Sequence, residues 1–271
     1  MDHENRIADH LRQWSLQADG VPVHTHGACL LPVLRGGRPA MLKLSTGDDE
    51  RRAGAVLRWW DGDGAVRVLA GSEGDDVLLL ERAMGSRSLA ALARAGEAGD
   101  AAATGILCAV AARLHAPRPS APPLPPLSDC FAALAAAAAY GGVFSACHAA
   151  AQDLLAAPQD SVVLHGDLHH GNVLDGGVRG WLAIDPKGYA GERGFDFANI
   201  LCNPDAALAT SPGRLQRQVG LIADAARLDP ARLLAWGAAW AGLSAAWHLE
   251  DGTPPQTALA VAATALAALR A

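Results

Sequence analysis

Val162-Val163-Leu164-His165-Gly166-Asp167-Leu168-His169-His170-Gly171-Asn172-Val173-Leu174, followed closely by Trp181-Leu182-Ala183-Ile184-Asp185-Pro186, decides how the rest of this chain is read. The apolar runs are rich in Val, Ile and Leu and are bounded by Gly and Asp, so they read as short buried strands. Between the first two runs, Asp167 and Asn172 sit on a polar loop, and Asp185 stands just past the end of the last. Two carboxylates and an amide oxygen around one small space are what a hard divalent cation and a general base require.

The spacing sharpens this reading. His165-x-Asp167-Leu168-x-x-x-Asn172 fits the kinase catalytic-loop pattern H-x-D-L-x-x-x-N, with Gly166 where protein kinases usually carry Arg. Asp185 takes the place of the metal-binding Asp that follows that loop, although Pro186-Lys187 stands in place of Phe-Gly. The run HGDLHHGNVL, then WLAIDPKGYAGERGFDFAN, closely resembles the aminoglycoside phosphotransferases, and most of all their streptomycin 6-kinase (aminoglycoside/hydroxyurea resistance kinase) branch. The resemblance extends from Thr25 to the final helices. It implies an α+β, protein-kinase-like, two-lobed fold: a small β-rich N-lobe over 1–83 and a larger helical C-lobe over 84–271.

Composition sets the outer bounds. Of the 271 residues, 51% are apolar and 18% charged, a globular balance with enough chain for a sizeable core. No apolar run reaches the length of a membrane span, and Met1-Asp2-His3-Glu4 does not open a signal peptide, so no membrane is expected. Five dispersed cysteines without a C-x-x-C pair point to reduced thiols and a cytoplasmic setting. A net charge of −6 disfavours nucleic acid and mildly favours a cationic small-molecule partner. A monomer is expected.

In chain order, apolar spacing predicts a short helix over 5–16. Strands over 21–25, 29–34 and 39–44 follow, the last two as a hairpin around Gly36-Gly37. The prolines Pro32 and Pro39 suggest edges or bulges. A helix bearing Ala53, Val56, Leu57 and Trp60 precedes two more strands, over 66–69 and 77–80. Beyond Ser86 the chain turns rich in Ala and Leu and reads as helices, interrupted by a proline-rich connector over 116–126. Asp229-Pro230 supplies a cap and a first-turn proline for a helix over 231–249.

The resemblance assigns roles. Asp167 is the base that orients the acceptor hydroxyl and takes its proton. Asn172 and Asp185 hold Mg²⁺ against the phosphates of ATP, and Lys43, ending an apolar strand, meets the α- and β-phosphates. Glu50 is the ion-pair partner of Lys43, against a competing reading of 48–52 as a solvated helix face. Thr25, His26, Gly27 and Ala28 form the loop over the nucleotide, and Glu81 to Ala83 the hinge that offers main-chain groups to adenine. His165 braces the catalytic loop, and Asp196, after Gly194-Phe195, bonds its backbone. Glu192, Asp205, Trp247 and Glu250 are available to line an acceptor pocket suited to guanidinium or ammonium groups.

The expected activity is ATP-dependent, Mg²⁺-assisted phosphorylation of a hydroxyl on a cationic small molecule, streptomycin first, inactivating the antibiotic. The chain has no G-x-x-x-x-G-K-[ST], which removes the P-loop kinases, and no A-P-E segment after Asp185, which argues against a protein kinase. Two rivals remain: a metabolic kinase of the same fold acting on an aminoalcohol, amino acid or sugar, and a non-catalytic nucleotide-binding relative. The intact Lys43, Asp167, Asn172 and Asp185 speak against the second.

Overall fold

The computed structural model describes residues 3–25, 27–45 and 47–270, with the side chains of His3, Glu4, Asp48, Asp49 and Glu50 left outside that description. Helix α1 (His3–Gln13) lays Ile7 and Leu11 on a sheet. It stops short of the expected end because Ser15 turns left-handed at φ 53° and the next residue opens a strand.

That sheet is built from β1 (Leu16–Ala18), β2 (Val23–His24), β3 (Ala28–Arg35), β4 (Arg38–Ser45), β5 (Val68–Gly71) and β6 (Val77–Glu81), with α2 (Asp48–Trp60) between β4 and β5. All the pairings are antiparallel, in the order β1-β3-β4-β6-β5, with β2 also on β3. The β3–β4 hairpin closes on Gly36 and Gly37, both at positive φ, as a two-residue turn matched to strand twist requires. Both prolines lie inside strands of this sheet, for a physical reason. Pro32 stands where the outer edge of β3 passes from β1 to β2, and Pro39 precedes the first residue of β4 that pairs with β6. A proline there removes no ladder bond on that side.

The helical part follows: α3 (Leu89–Ala93), α4 (Glu97–Leu114), α5 (Ala132–Ala137) and α6 (Gly142–Ala156). Then come four short strands, β7 (Ser161–Leu164), β8 (Val173–Asp175), β9 (Trp181–Ala183) and β10 (Tyr189–Glu192). The chain ends in α7 (Gly194–Leu201), α8 (Ala206–Ala209), α9 (Arg214–Ala226), α10 (Pro230–Glu250) and α11 (Gln256–Ala268). Asp229 caps α10 by accepting the Ala231 N–H, with Pro230 in the first turn. The runs flanking the catalytic stretch are strands, but they do not pair with each other: β7 pairs with β10, and β8 with β9.

Buried apolar side chains form a small core under α1 and a large one that runs from α2 and β6 through the helices. Burial pushes the thiols of Cys108 and Cys147 up to about 12, so they act as small apolar residues. No described helix is long and apolar enough to cross a membrane.

Candidate active site

The β8–β9 hairpin sets the geometry. Val173 faces Ala183 across it, and the Ile184 N–H donates to the Asn172 carbonyl at 2.9 Å, so Asn172 and Asp185 stand side by side at its open end. Asp185 adopts φ 58°, a left-handed conformation that Asp tolerates better than most residues and that turns the chain sharply away from the strand.

The loop that carries Asp167 is suspended from two buried groups. Asp196, on α7, accepts the His165 N–H at 2.9 Å and the Gly166 N–H at 2.7 Å, and pairs with His115 Nε2 at 2.8 Å. Burial works against the Asp196 charge, but His115, His165 and the backbone bonds outweigh it and hold its carboxyl below the usual range. The fully buried His165 ring meets the Ile184 carbonyl through Nε2 at 2.8 Å and accepts the Asp167 N–H on Nδ1 at 3.2 Å. Burial pushes its pKa down, which suits a neutral imidazole that donates on one side and accepts on the other. Trp60 of α2 stacks on the same ring, with centroids 6.2 Å apart.

Asp167 is half-buried, with both carboxylate oxygens oriented by amides. Asn172 Nδ2 donates to Oδ2 at 2.9 Å and to the Asp167 carbonyl at 2.9 Å, while Asn199 Nδ2 donates to Oδ1 at 2.8 Å. The Asn199 amide is itself set by Asn203, whose Nδ2 donates to Asn199 Oδ1 at 2.7 Å. His169 Nε2 lies 3.8 Å from Asp167 Oδ2, and burial lowers the pKa of that ring. Asp185 receives Lys43 Nζ at 2.5 Å on Oδ1 and Lys187 Nζ at 2.9 Å on Oδ2. Burial raises its pKa, yet the two ammonium charges outweigh that and hold the carboxyl well below the usual carboxylate range.

Asp167, Asn172, Asp185, Lys43, His165 and Asp196 thus converge on one place from three separate parts of the chain. The donor set fits Mg²⁺: a charged carboxylate on Asp185, and an amide oxygen on Asn172, whose NH₂ is spent on Asp167. Among the described residues no three His, Cys, Asp or Glu side chains gather as a closed metal cage. Magnesium takes one or two protein oxygens and completes its shell with water and phosphates, so the pair suffices.

Elsewhere the structure places the expected residues as follows. Thr25 and Ala28 close a tight turn, the Thr25 N–H donating to the Ala28 carbonyl at 2.8 Å, with Gly27 inside it; His26 lies outside the described residues. Glu50 belongs to α2, but its side chain is also outside the description. Glu81 ends β6, with its carboxylate bonded to Arg179, and Ala83 lies two residues on in the connection to α3.

Glu192 corrects an expectation. It is buried, and its carboxylate is saturated by Arg232, by Trp236 Nε1 at 2.7 Å and by the Gln159 N–H at 2.9 Å. It ties β10 to α10 and offers nothing to an acceptor. Asp205 caps α8 and pairs with Arg94 at 2.8 Å. Trp247 packs on the helical core and Glu250 is exposed at the end of α10, neither bonded to Asp167 among the described residues. Asn199, Asn203 and Lys187 are the additions. Asn199 stands three residues after Asp196, a helical spacing that would have pointed to it.

An antiparallel sheet that sends Lys43 to Asp185, and a carboxylate held by amides on a braced loop beside an acid–amide pair, form the arrangement of a small-molecule kinase of the protein-kinase-like class. The sequence pattern of the aminoglycoside/hydroxyurea antibiotic resistance kinases matches residues 13–252, and the chain belongs to that family. It is 48% identical over 248 residues to the streptomycin 3''-kinase of Klebsiella pneumoniae, covering 89% of this chain and 92% of that one. It is 35% identical to the streptomycin 6-kinase of Streptomyces glaucescens, covering 91% of this chain and 83% of the relative. The fold is shared with a thermostable variant of aminoglycoside phosphotransferase APH(4)-Ia, solved as a ternary complex with ADP and hygromycin B, at a TM-score of 0.61 and 16% identity over 97% and 96% of the two chains.

Proposed function

We propose that the protein transfers the γ-phosphoryl group of ATP to the 3'' hydroxyl of streptomycin, inactivating the antibiotic. The chemistry rests on one observation: Asp167, held on both oxygens, lies beside the Asn172–Asp185 pair, with Lys43 arriving from the sheet. The choice of acceptor rests on likeness, higher to the 3''-kinase than to the 6-kinase.

In this reading residues 1–83 cover the nucleotide and 84–271 carry the chemistry. Lys43 contacts the α- and β-phosphates. Glu81 and Ala83 offer main-chain groups to adenine, and the turn from Thr25 to Ala28 overlies the phosphates. Asn172 Oδ1 and Asp185 would hold Mg²⁺, which supplies charge neutralisation on the phosphoryl oxygens. Asp167 orients the acceptor hydroxyl and takes its proton as the oxygen bonds to the γ-phosphorus and the bond to the ADP oxygen breaks. His165 and Asp196 keep that carboxylate in place. The protein works as a cytoplasmic monomer.

The test is ATP consumption with Mg²⁺, with and without streptomycin, followed by NMR of the product to locate the phosphate. Streptomycin-dependent turnover is expected, and Asp167→Asn should lower kcat by about 10²–10⁴-fold while nucleotide still binds. Phosphate on position 6 would revise the hydroxyl. Turnover confined to hydroxyurea or to an aminoalcohol would revise the substrate.

A further inference from the structure

Lys187 has no assigned role, yet its ammonium sits in the middle of the site. Its main-chain N–H donates to the His165 carbonyl at 2.7 Å, which ties the Asp185–Pro186–Lys187 turn to the root of the catalytic loop. Gly166 makes that approach possible. It takes φ 82°, and a Cβ there would come within 3.2 Å of both Lys187 Cβ and the Tyr189 ring. Larger residues at 166 would push the Lys187 backbone away from the base. At its other end the side chain reaches Asp185 Oδ2 at 2.9 Å, and its charge is felt at His169, the neighbour of Asp167.

The local charge count asks for such a cation. Asp167 and Asp185 bring two negative charges, and a phosphoryl group in flight spreads further negative charge over three equatorial oxygens. Lys43 is committed to the nucleotide-covering sheet, and its side chain is 5% exposed. The loop position two residues after the base is His169, an imidazole and not a permanent cation. Lys187 is 28% exposed, anchored at its backbone and held on Asp185 through a four-carbon stem.

Resting on the kinase reading above, we propose that Lys187 is a catalytic residue whose ammonium binds the transferring γ-phosphoryl group. In the nucleotide-free protein the same ammonium is parked on Asp185, which keeps the two acids from repelling incoming phosphates. When nucleotide binds, the ammonium would turn from Asp185 toward the γ-phosphoryl oxygens. Preorganised positive charge of this kind acts on the transition state more than on the ground state.

The test reads binding separately from turnover. Affinities for AMP-PNP and for ADP, each with Mg²⁺, are measured by calorimetry for wild type, Lys187→Gln and Lys187→Arg. Glutamine keeps a donor for Asp185 without the charge, so the local fold is retained. Lys187→Gln is expected to weaken AMP-PNP binding about tenfold and ADP binding less than twofold, as loss of one charge-assisted contact to the γ-phosphate predicts. Its kcat should fall about 10²-fold or more with the acceptor KM unchanged, and Lys187→Arg should recover part of both. Equal weakening of the two nucleotides would reduce Lys187 to a structural partner of Asp185 and overturn the proposal, as would a Lys187→Gln kcat within threefold of wild type. A wild-type protein that ignores streptomycin but binds AMP-PNP more tightly than Lys187→Gln does would fail the acceptor assignment and leave this one standing.

Discussion

The two oxygens of Asp167 are claimed by amides from different places, Asn172 within its own loop and Asn199 from α7, 32 residues away. A carboxylate gripped on both sides presents one face to a hydroxyl, which is orientation gained before the substrate arrives. Removing the Asn199 donor loosens one side only. Asn199→Ala is therefore expected to lower kcat about tenfold, the worth of one hydrogen bond to a charged group, with the KM for ATP within twofold. Asn199→Asp sets a like charge against the base and should lower kcat about 10²-fold. Steady-state kinetics decide it, and an alanine variant as fast as wild type would leave orientation to Asn172 alone. The convergence of Asp167, Asn172 and Asp185 was legible because one loop and one hairpin set their spacing. Glu192 was misread because its partners Arg232 and Trp236 lie 40 and 44 residues onward. No local pattern distinguishes an acid that braces two elements from one that faces a ligand.

At the scale of elements, local pattern found α10 within a residue of its ends through its Asp229-Pro230 start, although no residue from Leu233 to His248 is exposed. It missed α7, where every residue from Gly194 to Leu201 is buried and no polar face alternates with an apolar one. It also missed the joint between α4 and α9. There Arg214 bonds Asp100 twice, at 2.7 and 2.9 Å, holds the Asn203 carbonyl at 2.8 Å, and is 1% exposed. Asp100→Ala strands a buried guanidinium and should cost about 3–5 kcal/mol in urea unfolding, whereas Asp100→Leu with Arg214→Met should cost clearly less. A double variant as unstable as the single one would show that packing, not the lone charge, sets the loss. Near that joint, His170 is 3% exposed and neither ring nitrogen has a partner among the described residues. Burial, with Arg214 adding to it, pushes its imidazole down to about 4. Below about pH 6.5 the unfolded chain then takes up a proton that the folded protein refuses, so stability falls as pH drops toward 4 and levels off beneath it. His170→Leu should remove that slope, gaining about 2 kcal/mol more at pH 5 than at pH 8. Chemical denaturation at the two pH values checks it, and parallel losses in wild type and variant would place the slope on other groups.

Over the whole molecule, the sheet and the helical part share the large apolar core, and several specific ties add to it at the site. Ala183 exchanges main-chain bonds with Gly64 and Val66, at 2.8 and 3.1 Å; Trp60 stacks on His165; and Lys43 pairs with Asp185. The alternation of strands and then helices announces both halves in the sequence. How they dock does not show there, because the ties join residues more than a hundred positions apart. One of them, Lys43 to Asp185, joins the two residues that the proposed function gives to phosphate and to the metal, so on that reading nucleotide binding should tighten the whole molecule. At 100 times its Kd a ligand adds about 2.7 kcal/mol of stability. For a chain of this size that is about 5–10 °C in Tm. ATP with Mg²⁺ is expected to raise Tm by this amount in a calorimetric scan, and Lys43→Met to lose most of the rise. Chelating the metal should cut the wild-type shift to less than half, because the triphosphate then meets Asp167 and Asp185 with only the two lysines to offset them. A shift indifferent to the chelator would assign nucleotide binding to Lys43 and Lys187 alone, and would remove Asn172 and Asp185 as the metal pair.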